Sequence, residues 1–323
     1  MGKILITGFS GFVATHFVEY LYTEKLNYEI CGIDINVPKF DYEQFADKIK
    51  ISFKQVDMTN IQVLHNIISQ FRPDYILHLA SFSSVAYSWK YPSTSFMNNC
   101  NIFLNLVSVV KEECPECRIL SVGSSEEYGN VAHEDLPIRE NQNMAPLSPY
   151  AVARVSQEML SKIFVEAYGM DIIMTRSFNH IGPRQDERFV VPSFIRRILS
   201  IKESNKNEGE IETGDISIIR DFVDVRDVVK AYYMLLTQGT KGEVYNICSG
   251  RGITLKELME MIADEVGVSV LPVINPKFVR PNDNKEIVGS AYKIESELGW
   301  KREYKFKNTI EDMVEYMEKN KQL

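Results

Sequence analysis

The chain has 323 residues, of which 45% are hydrophobic and 25% charged, the balance of an ordinary folded protein with room for one large domain or two modest ones. Its formal net charge of −8 argues against nucleic acid or an anionic membrane as a main partner, because both would repel such a surface. No stretch is long and apolar enough to span a bilayer, and the N-terminus runs into a strand without a signal-peptide layout, so a cytoplasmic protein is expected.

Residues 4–14 open the chain with a buried strand, a glycine turn and the start of a helix. Gly8 can take a backbone angle closed to other residues, and Gly11 has no side chain to hold a phosphate away from the helix N-terminus. Ala14 stands where a third small residue lets helix and strand pack closely. The loop Gly8, Phe9, Ser10, Gly11, Phe12 and Val13 therefore reads as a pyrophosphate cradle. A second buried strand, 29–34, ends in Asp34, about twenty residues past the loop, where a carboxylate binds a ribose diol. Asp34 would also repel a 2′-phosphate, so the expected cofactor is NAD rather than NADP.

A polar segment, 36–49, precedes a third strand at 51–58 that carries Asp57 and Met58. A helix at 61–71, a strand at 75–80 and a Ser-rich loop at 81–84 follow, then a helix at 99–114, a strand at 118–123, a helix at 148–168 and a sixth strand at 171–176. This alternation marks a parallel, doubly wound sheet. From Asn179 the character changes, with a charged insertion at 202–212, a helix at 224–237 and a strand at 244–247. The expected architecture is an α/β Rossmann domain from 1–178 and 220–249, with a smaller, interleaved α/β lobe from 179–219 and 250–323 that binds substrate. Of five cysteines only Cys114 and Cys117 have metal spacing. They lack a second pair or a nearby histidine, so no metal site is expected.

Ligands of such sheets bind at the carboxyl ends of the strands, which directs attention to Ser124, Ser125 and Glu126, just past Gly123. Tyr150 and Arg154, four apart on a helix, share a face. A fixed cation beside a phenol favours the phenolate and makes it a candidate base. The same two residues also read as a stacked aromatic and a surface charge.

The glycine loop, His78-Leu79-Ala80, Ser124 to Gly129, Tyr150, the 177–184 and 220–227 segments, Arg280-Pro281 and Leu298-Gly299-Trp300 occur in an order that resembles the extended short-chain dehydrogenase/reductase superfamily. Within it the chain is similar to the GDP-mannose 4,6-dehydratase and GDP-4-keto-6-deoxymannose reductase group. The resemblance implies that Ser124 hydrogen-bonds the sugar 4-hydroxyl, that Tyr150 deprotonates it, and that Arg154 replaces the family lysine beside the nicotinamide ribose. It implies a C5 base in Glu126, with Ser125 where some relatives carry aspartate. It adds Asp57, Met58, Leu79, Ala80 and Ser81 to the cofactor pocket, and Ser83, Asn179, Val190, Arg220, Arg280 and Asp283 to the site of a GDP-sugar. Glu127 stands where the dehydratases have an apolar residue, a feature closer to the reductases, which consume NADPH. Asp34 fits an internally recycled NAD, so a 4,6-dehydratase is expected. The alternatives are a 4-keto reductase or C4 dehydrogenase/epimerase and, from another class, a non-catalytic NAD-binding regulator. A homodimer through helices 99–114 and 150–168 is expected, with a tetramer as the larger option.

Overall fold

The computed structural model describes residues 1–279 and 284–320. Its first half alternates β1 (Gly2–Thr7), α1 (Phe12–Thr23), β2 (Tyr28–Asp34), β3 (Lys50–Gln55), α2 (Ile61–Phe71) and β4 (Tyr75–His78) with α3 (Val85–Lys90), α4 (Pro92–Glu113), β5 (Arg118–Ser124), α5 (Pro149–Tyr168) and β6 (Asp171–Ser177). The second half runs β7 (Asn179–Ile181), α6 (Val190–Glu203), β8 (Glu208–Thr213), β9 (Ile219–Asp224), α7 (Val225–Gln238), β10 (Val244–Ile247) and β11 (Gly252–Thr254). It ends with α8 (Leu255–Val266), β12 (Ser269–Ile274), β13 (Glu286–Ile287), α9 (Tyr292–Leu298) and α10 (Phe306–Lys319).

Seven strands form one parallel sheet in the order β10-β6-β5-β4-β1-β2-β3. Strand side chains alternate between faces, and here both faces are covered. Ile4, Ile6, Ile30, Leu77, Leu120 and Ile173 pack against α1 and α7 through Phe17, Leu21, Val228 and Leu235. Leu5, Cys31, Ile76, Ile119 and Ile172 pack on the other face against Leu64 of α2, Leu106 of α4 and Phe164 of α5. That two-sided burial is why these strands read as continuous apolar runs. Strand order reverses at β1, between β2 and β4, and ligands bind such sheets at the carboxyl ends beside the reversal.

A second sheet centres on β9, which pairs with β7, β11 and β13, while β8 pairs with β12. Residues of α6, α8 and α10 share a third core around Phe194, Ile198, Leu258, Ile262, Ile310 and Met313. The Arg220–Asp227 segment fastens these parts together. The Asp221 carboxylate accepts the N–H groups of Ser249, Gly250 and Gly289 at 2.7, 2.9 and 3.2 Å. Asp224 caps α7 and accepts the Thr309 hydroxyl at 2.7 Å. Asp227 accepts the N–H groups of Glu303 and Tyr304, and its carbonyl takes the Trp300 indole N–H. Burial pushes the Asp227 carboxyl up to about 6, the two amides acting against it.

Three expectations need correction. The strand expected at 51–58 stops at Gln55, and Asp57 beyond it turns its carboxylate onto the Thr59 N–H and hydroxyl, closing a turn. The helix expected from 99 begins at Pro92, because proline at the first helical position sacrifices no intrahelical bond. The charged segment 202–212 is not a loose insertion: most of β8 lies in it, with Ile211 buried and the charges outward.

Gly129 closes the 3₁₀ turn at Ser125–Tyr128 with φ +65°, and a Cβ there would lie 1.8 Å from the Ala145 carbonyl oxygen. Gly129→Ala is expected to cost about 3 kcal/mol or more, read as a drop in the denaturant midpoint; an unchanged midpoint would contradict this account of the turn.

Candidate active site

The loop after β1 is held by close approach to the chain after β4. Gly8 has φ +72°, and a Cβ on it would sit 2.8 Å from the Ala80 nitrogen. The Thr7 hydroxyl bonds His78 Nδ1 at 2.9 Å and accepts the Ala80 N–H at 3.1 Å, which places Leu79, Ala80 and Ser81 beside the loop. Burial pushes His78 down to about 3, so the ring is neutral. Gly11 donates to the Gly8 carbonyl at 3.0 Å and leads into α1 without a side-chain cap. The first-turn amides, at Phe12 and Val13, are thereby left facing the loop, as an anion requires.

Asp34 lies across from that turn. Its Oδ2 accepts the Ser10 N–H at 3.0 Å and its Oδ1 the Asn36 N–H at 2.9 Å, so the carboxylate is fixed at the strand end with lone pairs left over. The Ser81 hydroxyl is buried with no partner among the described residues. The glycine contact, uncapped amides, fixed acid and orphan hydroxyl fit an adenine dinucleotide. Phe9 departs from the expectation: its ring is fully buried among Phe40, Tyr42 and Phe53, and its N–H bonds the Ile33 carbonyl. The ring shapes the loop from beneath. Met58 is buried, and exposed Asp57 is engaged by Thr59.

The catalytic candidates meet at the end of β5 and the start of α5. Ser148 caps α5 through the Ala151 N–H, and Pro149 begins it. One turn in, Arg154 Nε donates to the Tyr150 hydroxyl at 3.2 Å, and Nη1 donates to the Val122 carbonyl at 3.0 Å and Gln157 Oε1 at 2.7 Å. Tyr150 is 6% and Arg154 5% exposed, so the pair is an internal device and not a solvated charge beside an aromatic. Ser124 ends β5, its hydroxyl accepting the Glu126 N–H at 3.3 Å. Ser125 is buried, and Glu126 is half-buried on the following turn. The set offers a phenol oxygen touched by a permanent cation, a hydroxyl and a carboxylate, the groups needed to move protons on a polyol.

The other expected substrate residues do not converge so closely. Ser83 is exposed before α3; Asn179 on β7 donates to the Asp221 carbonyl at 3.2 Å; Val190 is the half-buried first residue of α6. Arg220 on β9 is buried, and its Nη1 donates to the Ile219 and Asn284 carbonyls at 3.0 and 2.7 Å. Arg280 and Asp283 lie outside the described residues.

Several charged groups here were not foreseen from the sequence. Arg176 on β6 grips Glu158 of α5 by two bonds of 2.8 Å and covers the Tyr128 ring. Burial works to raise Glu158, but its bonds to Arg176 and Lys162 hold it below the usual carboxylate range. Gln157 ties α5 to the Ser121 hydroxyl at 2.8 Å. Glu127 is fully buried, and burial pushes it up to about 8 with help from nearby Glu158. Of these only Glu127 was marked in the sequence, as a charge standing where the dehydratases have an apolar residue.

Fold and site together define a dinucleotide-binding α/β enzyme of the extended short-chain dehydrogenase/reductase class. The profile of the family described as GDP-mannose 4,6 dehydratase matches residues 5–313, and the chain belongs to that family. It is 31% identical over 308 residues to a GDP-6-deoxy-D-mannose reductase of Pseudomonas aeruginosa, covering 95% of this chain and 94% of that protein. Among solved structures it resembles RMD from Pseudomonas aeruginosa complexed with NADPH, with 30% identity, a TM-score of 0.84 and 99% of each chain covered. It also resembles the Thermus thermophilus UDP-glucose 4-epimerase complex with NAD, with 26% identity, a TM-score of 0.85 and coverage of 98% and 99%.

Arg154→Lys removes the fork that reaches Tyr150, Val122 and Gln157 together. It is expected to lower folding stability by about 1–3 kcal/mol, measured by urea unfolding. Stability equal to wild type would mean that the site is not built around the guanidinium.

Proposed function

We propose that this protein is an NAD-dependent GDP-sugar 4,6-dehydratase, a cytoplasmic enzyme of glycan-precursor synthesis. The observation that carries the reading is that the turn after Ser124, which bears the Glu126 carboxylate, packs on α5, the helix that bears the Tyr150–Arg154 pair. Oxidation or reduction at C4 needs only the phenol and the serine; a carboxylate beside them has use where a second proton must be moved.

When bound, the dinucleotide would supply hydride acceptance at C4 and hydride return at C6. Gly8, Ser10, Gly11, Phe12 and Val13 would hold its diphosphate and Asp34 its ribose, through the turn and carboxylate already described. Asp34 would sit badly with a 2′-phosphate, which supports NAD. Tyr150 takes the 4-hydroxyl proton while the Ser124 hydroxyl orients that oxygen. The resulting ketone acidifies C5, whose proton passes to Glu126 and from there to the departing 6-hydroxyl, which leaves as water; C5 regains a proton from solvent as hydride returns to C6. Residues 1–178 and 220–249 would serve chiefly the cofactor in this scheme, apart from Arg220 on β9, which belongs to the second sheet, and 179–219 with 250–323 the nucleotide sugar.

A 4-keto-sugar reductase is the second reading, favoured by the 31% identity to the Pseudomonas aeruginosa reductase and by the NADPH in the RMD structure. An assay in D₂O with catalytic NAD and either GDP-mannose or GDP-N-acetylglucosamine separates the two. The expected result is a 4-keto-6-deoxy product with deuterium at C5 and no accumulation of NADH. It should be lost in Tyr150→Phe, whereas in Glu126→Gln water loss alone should stop. Net consumption of NADPH on a 4-keto substrate, with no dehydration, would establish the reductase.

A homodimer fits the surface. Met97 and Leu104 on α4 and Val152, Met159 and Ile163 on α5 are exposed apolar residues at helical spacing, and the two helices pack side by side. Placing Glu at both Met159 and Ile163 should yield a monomer by light scattering; a persisting dimer would put the interface elsewhere.

A further inference from the structure

Glu127 takes no part in the steps above, yet the structure makes room for it. A Cβ at Gly123 would fall 2.5 Å from Glu127 Oε1 and 2.4 Å from the Thr175 carbonyl oxygen, so β5 omits a side chain where this carboxyl lies. Oε1 accepts the Ser124 N–H at 2.7 Å; Oε2 is buried with no hydrogen-bond partner. The backbone of the residue is pinned as well, its carbonyl accepting the Ala145 N–H at 3.0 Å.

The charges around this carboxyl are unevenly paired. The turn packs on α5 and β6; α5 presents Arg154 and Glu158 to Glu127, and β6 presents Arg176. On the turn itself its neighbours are Glu126 and Tyr128. Arg176 and Glu158 already hold each other by two bonds. Arg154 donates to a phenol, a backbone carbonyl and a side-chain amide, three neutral acceptors, and so has no contacting counter-ion among the described residues. The action of such a cation depends on any charge that forms near it, and Glu127, on the turn that packs against α5, is the nearby carboxyl that no guanidinium hydrogen-bonds.

We propose that Glu127 is a positioning residue: its carboxyl holds Ser124 in place, and its charge state sets how strongly the Arg154 cation acts on Tyr150. Neutral Glu127 leaves that cation directed at the phenol; ionised Glu127 opposes it. This rests on the reading of Tyr150 as the base. Because burial raises the Glu127 carboxyl, the neutral form prevails at neutral pH and the opposing charge develops as the solution becomes alkaline.

The deciding measurement needs neither substrate nor cofactor. Tyrosinate absorbance is titrated in four proteins: wild type, Tyr150→Phe, Glu127→Gln and the double variant. Subtracting each Tyr150→Phe curve from its partner isolates Tyr150. Glu127→Gln keeps an acceptor for Ser124 and removes the ionisable proton, so its phenolate should emerge at a pH lower by about one unit. In kcat/KM, Glu127→Gln should match wild type where Glu127 is neutral and exceed it on the alkaline side where Glu127 ionises, and Glu127→Asp should restore the wild-type behaviour in both readouts. Coincident phenolate titrations of wild type and Glu127→Gln would overturn the proposal, and an aspartate variant that behaves like Glu127→Gln would do the same. Should Glu127→Gln fail to fold, Glu127→Met, neutral and of similar length, is read by the same difference. If no GDP-sugar is turned over, the dehydratase reading fails while the absorbance titration still decides the role of Glu127.

Discussion

The organisation of this protein depends on the docking of α5 against β5. One backbone oxygen, the Val122 carbonyl, accepts side-chain bonds from both Arg154 and Gln157, at 3.0 and 3.1 Å. One helical turn further on, Ser161 reaches the Ser121 hydroxyl at 3.3 Å. These bonds fix the rotation and height of the helix on the strand, and therefore where Tyr150 stands relative to Ser124. A planar guanidinium reaches tyrosine, strand and glutamine at once, which a single ammonium does less readily. Arginine at this position is thus part of the frame as well as part of the site.

Carboxylates perform the complementary task. Asp221 and Asp227 each gather backbone N–H groups from segments distant in sequence, and Asp34 ties the Ser10 N–H to the end of β2, so that all three act as fasteners. Such a carboxylate is stabilised by several oriented dipoles and needs no cation. Glu158 is held instead by Arg176 and Lys162. Glu127 has neither arrangement in full: one amide, one empty oxygen, and two guanidinium groups whose hydrogen bonds go elsewhere. A fully buried acid with so little support is kept neutral by desolvation.

The active-site candidates come from short range along the chain and from long range across it in different proportions. The cofactor loop is nearly local, since the strand, glycine turn and helix are consecutive. The catalytic pair is local on α5, but its burial depends on β5. Of the residues proposed for the nucleotide sugar, Asn179, Val190 and Arg220 belong to β7, α6 and β9, elements separated in sequence that share the second sheet or its core.

The sequence by itself determined the strand alternation, the glycine loop, Asp34 and the four-residue spacing of Tyr150 and Arg154. Those features rest on local periodicity and on residue types with few conformational uses. The start of α4 at Pro92 and the strand β8 inside a charged segment were obscured because both carry polar residues toward solvent, which dilutes the apolar pattern. Phe9 looked like part of the phosphate loop because its neighbours are; only the aromatic cluster of Phe40, Tyr42 and Phe53 decided that its ring turns inward. The same holds for Glu127. Its departure from the apolar residue of the dehydratases was legible, but its isolation from water arises when β5, β6 and α5 close around it, a juxtaposition of segments up to about fifty residues apart along the chain that pairing and packing alone create.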